Sequence, residues 1–202
     1  MARTIQQLFD LTGKTALITG GSRGLGLQMA QALGEAGAKL VISSRKASDL
    51  DEAVAHLKSQ GIDAFAIAAD CSNPEHIAHL ATSAIAHLGH IDILVNNAGA
   101  TWGAPAEDYP LEAWDKVMNL NIRGYFLLCQ QVGKLSMIPR KGGHIVNIAS
   151  IYGFLGPDWS IYEGTSMANP AGYAATKGGI IQLTRWMATT YGPEVRVNCV
   201  SP

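Results

Sequence analysis

Short apolar runs alternate with longer amphipathic stretches along the whole chain. Residues 15–19 (TALIT), 40–43 (LVIS), 64–68 (AFAIA), 91–95 (IDILV), 144–148 (HIVNI) and 195–200 (VRVNCV) predict strands. Most are near-continuously apolar, the pattern of strands covered on both faces. The stretches 25–35, 47–60, 74–88, 111–135 and 171–190 are each long enough for a crossover helix. Asp49, Asn73 and Asn169 are candidate helix caps, and Pro74 and Pro170 suit the first helical position. Gly37 and Gly61 stand where helices should stop, and Pro139 bars continuation of the fourth.

This alternation predicts right-handed βαβ units in one doubly wound α/β domain, a parallel sheet with helices on both faces. No linker, repeat or low-complexity tract divides residues 1–202. The alternation stops at Ser201-Pro202, just past the sixth predicted strand. The expectation is therefore a C-terminally incomplete domain that lacks its last helix and strand.

Composition narrows the class. Fifteen Lys and Arg against sixteen Asp and Glu give a formal net charge of −1, without the basic excess of an electrostatic nucleic-acid binder. With 48% hydrophobic and 15% charged residues the chain is too apolar to be disordered. No run approaches the ~18 uncharged apolar residues of a membrane span, and the N-terminus lacks a signal-peptide core. Cys71, Cys129 and Cys199 are scattered and odd in number, as for reduced thiols. A soluble, cytoplasmic protein is expected, with no nucleic-acid or membrane partner.

Directly after the first strand comes Thr19-Gly20-Gly21-Ser22-Arg23-Gly24-Leu25-Gly26, a T-G-x-x-x-G-x-G loop. A diphosphate must approach backbone where side chains would collide, and the following helix must aim free amides at it. This loop meets both needs, as in a Rossmann dinucleotide fold. At the end of the second strand, where NAD-preferring units carry a carboxylate, stand Ser44, Arg45 and Lys46. These groups donate to a 2′-phosphate, and Arg23 adds a second cation, so NADP(H) is expected over NAD(H).

Tyr173 and Lys177 are spaced i, i+4 in the last predicted helix, on one face. A unit charge at about 4 Å is worth on the order of 4 kcal/mol at an effective dielectric near 20, or roughly 3 pKa units. That brings a phenol near neutrality, fit to exchange a proton with a carbonyl or alcohol oxygen. Ser150 ends the fifth strand and Asn96-Asn97-Ala98-Gly99 ends the fourth, both at the carboxyl edge where open α/β sheets bind ligands.

Taken together, the 19–26 loop, Asp70, the N-N-A-G run, Asn121 in N-I-R-G-Y-F, Ser150 in S-I-Y-G and the Y-x-x-x-K pair resemble a single-domain short-chain dehydrogenase/reductase. The resemblance spans essentially the whole chain. It implies Tyr173 as general acid or base, Lys177 as the group lowering its pKa and binding the nicotinamide ribose, and Ser150 as donor to the substrate oxygen. It implies Asn121 as anchor of a proton-relay water. Gly20, Ser22, Arg23, Gly24, Leu25 and Gly26 would hold the diphosphate, Asp70 and Cys71 would lie by the adenine, and Asn97, Ala98 and Gly99 along the ribose. It also implies a homo-oligomer, tetramer or dimer, assembled partly through 111–135 and 171–190. The substrate class implied is a ketone or secondary alcohol, as in 3-oxoacyl-carrier-protein reductases and gluconate 5-dehydrogenases. A non-catalytic NADP(H) sensor would have lost the tyrosine or lysine, and a methyltransferase on a similar fold has no need of the pair.

Two features depart from the family pattern. Ser150 and Tyr173 are 23 positions apart, about ten more than usual, and the extra segment 155–169 carries Trp159, Tyr162, Glu163 and Met167. It is expected to border or cover the substrate pocket, with Glu163 disfavouring anionic substrates. The family's chain also continues past the Ser-Pro that ends this one, into a substrate lid and a last strand. Of the histidines, those at 76, 79, 87 and 90 form two H-x-x-H pairs. No carboxylate or thiol cluster completes a metal site, and a solvated helix face is expected. Met118, Leu120, Tyr125, Phe126, Leu127, Leu128 and Cys129 are read as core or subunit contact.

Overall fold

A strand that is apolar at every position finds partners only if both its faces are covered, and the sheet is built that way. In the computed structural model, which describes residues 3–164 and 170–202, the strands are β1 (Thr15–Thr19), β2 (Lys39–Ser44), β3 (Ala64–Ala68), β4 (Ile93–Asn96), β5 (Gly143–Ile148) and β6 (Val195–Val200). They pair in parallel in the order β3-β2-β1-β4-β5-β6. The helices are α1 (Ile5–Phe9), α2 (Gly24–Glu35), α3 (Ala47–Ser59), α4 (Pro74–Leu88), α5 (Leu111–Met118), α6 (Gly124–Val132) and α7 (Ala171–Tyr191). Leu17, Val41 and Leu94 pack on one face with Leu80, Leu128 and Met187. Ala16, Ile18, Leu40 and Ile42 pack on the other with Ala30, Leu50 and Leu57. Strand order reverses between β1 and β4, which opens a crevice at their carboxyl ends.

Several boundaries differ from expectation. The stretch 111–135 is broken by π-helical turns at Asn119–Arg123 and Gly133–Met137. A Cβ on Gly124 would overlap the Cys71 carbonyl, so the helix re-phases here and α6 closes on the loop after β3. Strand β4 starts at Ile93 because the Ile91 amide donates to Ser136 Oγ (2.9 Å) and leaves the ladder. Asp49 is not a cap: α3 opens at Ala47 after Lys46, and Asp49 lies in its first turn. Asn73 caps α4, accepting from the Glu75 amide at 2.8 Å with Pro74 first in the helix. Pro170 precedes α7 instead of opening it, while Asn169 and Met167 lie outside the described residues. Helix α1, absent from the hydrophobic pattern, rests on a capping box between Thr4 and Gln7.

At the amino-terminal edge, remote from the crevice, Asp92 ties three segments together. Its carboxylate accepts from the Thr15 amide, His90 Nε2 and Arg140, each at 3.1 Å. Burial pushes this carboxyl up, but the bonds from Arg140 and Thr15, with His90 nearby, outweigh it and hold it below the usual value of 3.8. The lowered native pKa means that the stabilisation is complete above about pH 5 and drains away as pH falls below about 4. Asp92→Asn is expected to cost about 2 kcal/mol in urea unfolding at neutral pH and to flatten the acid limb of the stability profile. An unchanged acid limb would mean that the pair carries no net stability. None of the described helices is long and apolar enough to cross a membrane.

Candidate active site

The loop after β1 is shaped by what its glycines leave out. Gly20 has a φ of 65°, and a Cβ there would stand 2.8 Å from Asn97 Nδ2 and 3.0 Å from the Ala98 Cα. A Cβ on Gly26 would overlap the Gly20 carbonyl oxygen, so α2 reaches the loop only because both positions lack side chains. Thr19 joins this loop to the one after β4: its Oγ1 accepts from the amides of Asn97 (3.0 Å) and Ala98 (3.1 Å). The Asn97 amide nitrogen donates to the carbonyls of Thr19 (3.0 Å) and Gly20 (3.2 Å).

These loops floor a cavity of about 450 Å³ lined by Gly20, Ser22, Arg23, Gly24, Ser44, Arg45, Asp70, Cys71, Asn97, Ala98 and Gly99, all singled out from sequence. Ser43, Asp49, Ala69 and Leu120, which sequence reasoning missed for this role, line it too, as does Lys46. Leu25 and Gly26 do not line it; Leu25 is exposed and Gly26 acts through packing on Gly20. Asp70 accepts from the Ser72 amide (2.9 Å) and hydroxyl (2.7 Å). Burial raises its pKa, yet these bonds and the Arg45 charge prevail and lower it. Burial pushes the Cys71 thiol up to about 12, so it lines the cavity as a neutral group.

Next to Gly99 the wall passes to the π turn. Buried Asn121 accepts from the Ala100 amide (2.8 Å) and donates to the Ala100 carbonyl (2.8 Å) and Thr176 Oγ1 (3.1 Å). Its amide thus clamps the β4 loop to α7. On α7, Lys177 is buried, and its ammonium donates to the Ile148 carbonyl at 2.6 Å. The ammonium also lies 5.4 Å from the Tyr173 ring centroid and 5.8 Å from that of Tyr125. Tyr125 Oη is buried without a partner among the described residues. Desolvation lowers the Lys177 pKa to about 8, so the charge assigned to it from sequence is complete only below that pH.

Ser150, also buried, lies two residues past the end of β5 instead of ending it, and caps the turn Ile151–Gly153 by accepting from the Tyr152 amide at 3.3 Å. That turn packs on α7: a Cβ on Gly153 would meet the Lys177 carbonyl group at 2.8 Å. Lys177, with Tyr173 beside it, is thus tied to the carboxyl end of β5, where Ser150 follows, and Asn121 to the loop after β4. None of these four residues lines the cavity itself, although Tyr173 and Lys177 were expected there. Of the extra segment, Tyr162 shares a hydrogen bond between hydroxyls with Tyr152 and packs against Trp159 at 5.8 Å, while Glu163 is exposed.

The histidines flagged by spacing have other engagements. His87 stacks on Phe65 at 4.0 Å, His90 pairs with Asp92, and His76 Nδ1 accepts from the Asp70 amide at 3.3 Å. Among the described residues no group of three or more His, Cys, Asp or Glu is arranged to hold a metal.

With this geometry in view, residues 14–202 match the family described as short chain dehydrogenase. A gluconate 5-dehydrogenase of Gluconobacter oxydans is 36% identical over 198 residues, 96% of this chain and 72% of that protein. A 3-oxoacyl-[acyl-carrier-protein] reductase of Synechocystis is 36% identical over 196 residues, 95% of this chain and 74% of that protein. Among solved structures, a gluconate 5-dehydrogenase from Burkholderia cenocepacia in complex with NADP and tartrate superposes with a TM-score of 0.88 at 32% identity, over 98% of this chain and 74% of that one.

Proposed function

The chain belongs to the short-chain dehydrogenase family, and from that premise we propose that it is an NADP(H)-dependent oxidoreductase that interconverts a ketone and a secondary alcohol. The observation that carries this reading is Lys177: a buried ammonium held by the Ile148 carbonyl at 2.6 Å, at the carboxyl end of β5, with the ring of Tyr173 5.4 Å away.

The cavity fits a dinucleotide phosphate on its own chemistry. Glycine backbone and the start of α2 suit a diphosphate. Arg23, Arg45 and Lys46 suit a further phosphate on the ribose, and the fully buried Ser43 Oγ, which has no partner among the described residues, is left for a ligand oxygen. When bound, the nicotinamide supplies or accepts the hydride. Tyr173 gives its phenolic proton to the carbonyl oxygen during reduction and takes it back during oxidation. Lys177 stabilises the phenolate left behind, and Ser150 donates a hydrogen bond to the oxygen where negative charge develops. Asn121 holds the Ala100 loop and α7 in register, which keeps Lys177 in reach and fixes the course of a proton path.

The described part of the extra segment, 155–164, borders the substrate, a reading supported by the hydroxyl link from Tyr162 to Tyr152, two residues beyond Ser150. The gluconate 5-dehydrogenase and 3-oxoacyl-carrier-protein reductase relatives favour a sugar-acid or a 3-oxoacyl thioester as substrate class. Association through the stretches 111–135 and 171–190 is supported by the exposed apolar side chains Leu111, Leu135 and Trp186 on them.

The test is NADPH oxidation, followed by its near-ultraviolet absorbance, across a panel of 3-oxoacyl thioesters and keto sugar acids. Turnover supports the reading; tight NADPH binding without turnover on any ketone would instead make the chain a dinucleotide sensor. Cofactor choice has its own test: Arg45→Asp is expected to weaken NADPH by about 10²-fold and NADH by less than about threefold. Equal losses for both would remove Arg45 from the phosphate site.

A further inference from the structure

The cavity that receives the dinucleotide is not uniformly cationic. Beside Arg23, Arg45 and Lys46 its wall carries two carboxylates, Asp49 and Asp70. Asp70 is committed, with two hydrogen bonds from Ser72 and the field of Arg45 on it. Asp49 is in a different situation. Half-buried in the first turn of α3, it has no cation within 4.0 Å among the described residues and accepts only a long bond, 3.5 Å, from Ser48 Oγ. It stands on the ridge between this cavity and an adjoining one of about 340 Å³, whose walls share Ser22, Arg23 and Asp49 and add Glu52.

A carboxylate here faces the same space as the three cations expected to receive a 2′-phosphate. It repels a phosphate dianion. Toward an unphosphorylated ribose it does the opposite, since a carboxylate accepts hydrogen bonds from hydroxyl groups. We propose that Asp49 is a second determinant of cofactor choice, opposing the cations, so that the chain prefers NADP(H) but also works with NAD(H). The inference rests on the dinucleotide reading of the cavity. It adds that the preference is graded, because charges of both signs share one wall.

The experiment is titration of NADPH and NADH into the full-length wild type, Asp49→Asn and Asp49→Glu by nicotinamide fluorescence, at low and at about 0.5 M added salt. Asp49→Asn is expected to tighten NADPH about fivefold and to leave NADH unchanged or weaker, with the gain shrinking at high salt as screening removes the repulsion. Asp49→Glu, which keeps the charge, is expected to show no gain for NADPH. Equal shifts for both dinucleotides in Asp49→Asn, or no shift, would overturn the role of Asp49 while leaving the oxidoreductase reading intact. A wild type that binds neither dinucleotide would overturn both.

Discussion

Tyr173→Phe is expected to lower kcat/KM for ketone reduction by about 10³-fold while leaving NADPH affinity within about twofold of wild type. The substitution removes one oxygen and keeps the ring against which the Lys177 ammonium rests at 5.4 Å, so packing and the position of the lysine are preserved. What is lost is the proton that must reach the substrate oxygen as the hydride arrives. The lysine adds a pH signature. Burial brings its pKa down to about 8, so the charge that steadies a phenolate is present below that pH and fades above it. Reduction is accordingly expected to decline above about pH 8 in the wild type, and the residual activity of Tyr173→Phe should lack that limb. Turnover insensitive to the substitution would assign the proton transfer elsewhere.

Gly26→Ala is expected to reduce dinucleotide affinity by at least about 10²-fold and to cost about 3 kcal/mol of stability. The added methyl has nowhere to go: it would overlap the Gly20 carbonyl oxygen and stand 2.6 Å from Asn97 Nδ2. Backbone cannot yield as a side chain does, so α2 must retreat from the loop. That retreat opens the diphosphate cradle and loosens the Asn97 bonds to Thr19 and Gly20. Gly24→Ala is the matched control. Nothing lies within 4 Å of its added Cβ, and the strain is confined to a φ of 54°, worth about 1 kcal/mol. Calorimetry and NADPH titration of the two variants measure the contrast; equal effects would show that the close approach of α2 to the loop does not matter.

Much of the site was legible because its parts are local. A glycine that must lack a side chain, a tyrosine one helical turn from a lysine and a serine just past an apolar strand all keep their meaning without knowledge of their neighbours in space. The order of strands and helices was legible for the same reason: continuous apolarity separates strands covered on both faces from the amphipathic helices that cover them. The failures lay where a remote segment overrules a local one. The helical period of 111–135 is unbroken in sequence, yet the approach of Gly124 to the Cys71 carbonyl, 53 positions away in the chain, accompanies a π turn that sets Asn121 against Ala100.

By itself, then, the sequence determined the alternating architecture, the glycine loop, the Tyr173–Lys177 spacing proposed to handle the proton and the excess of cations at the end of β2, since each is written in short-range spacing. Only the tertiary structure decided that Lys177 is desolvated and titrates near 8, that Asn97 spends its side chain on the glycine loop, and that Ser43 and Asp49 face the cavity. Burial and electrostatic fields are sums over groups far apart in the chain, and no local pattern encodes such a sum.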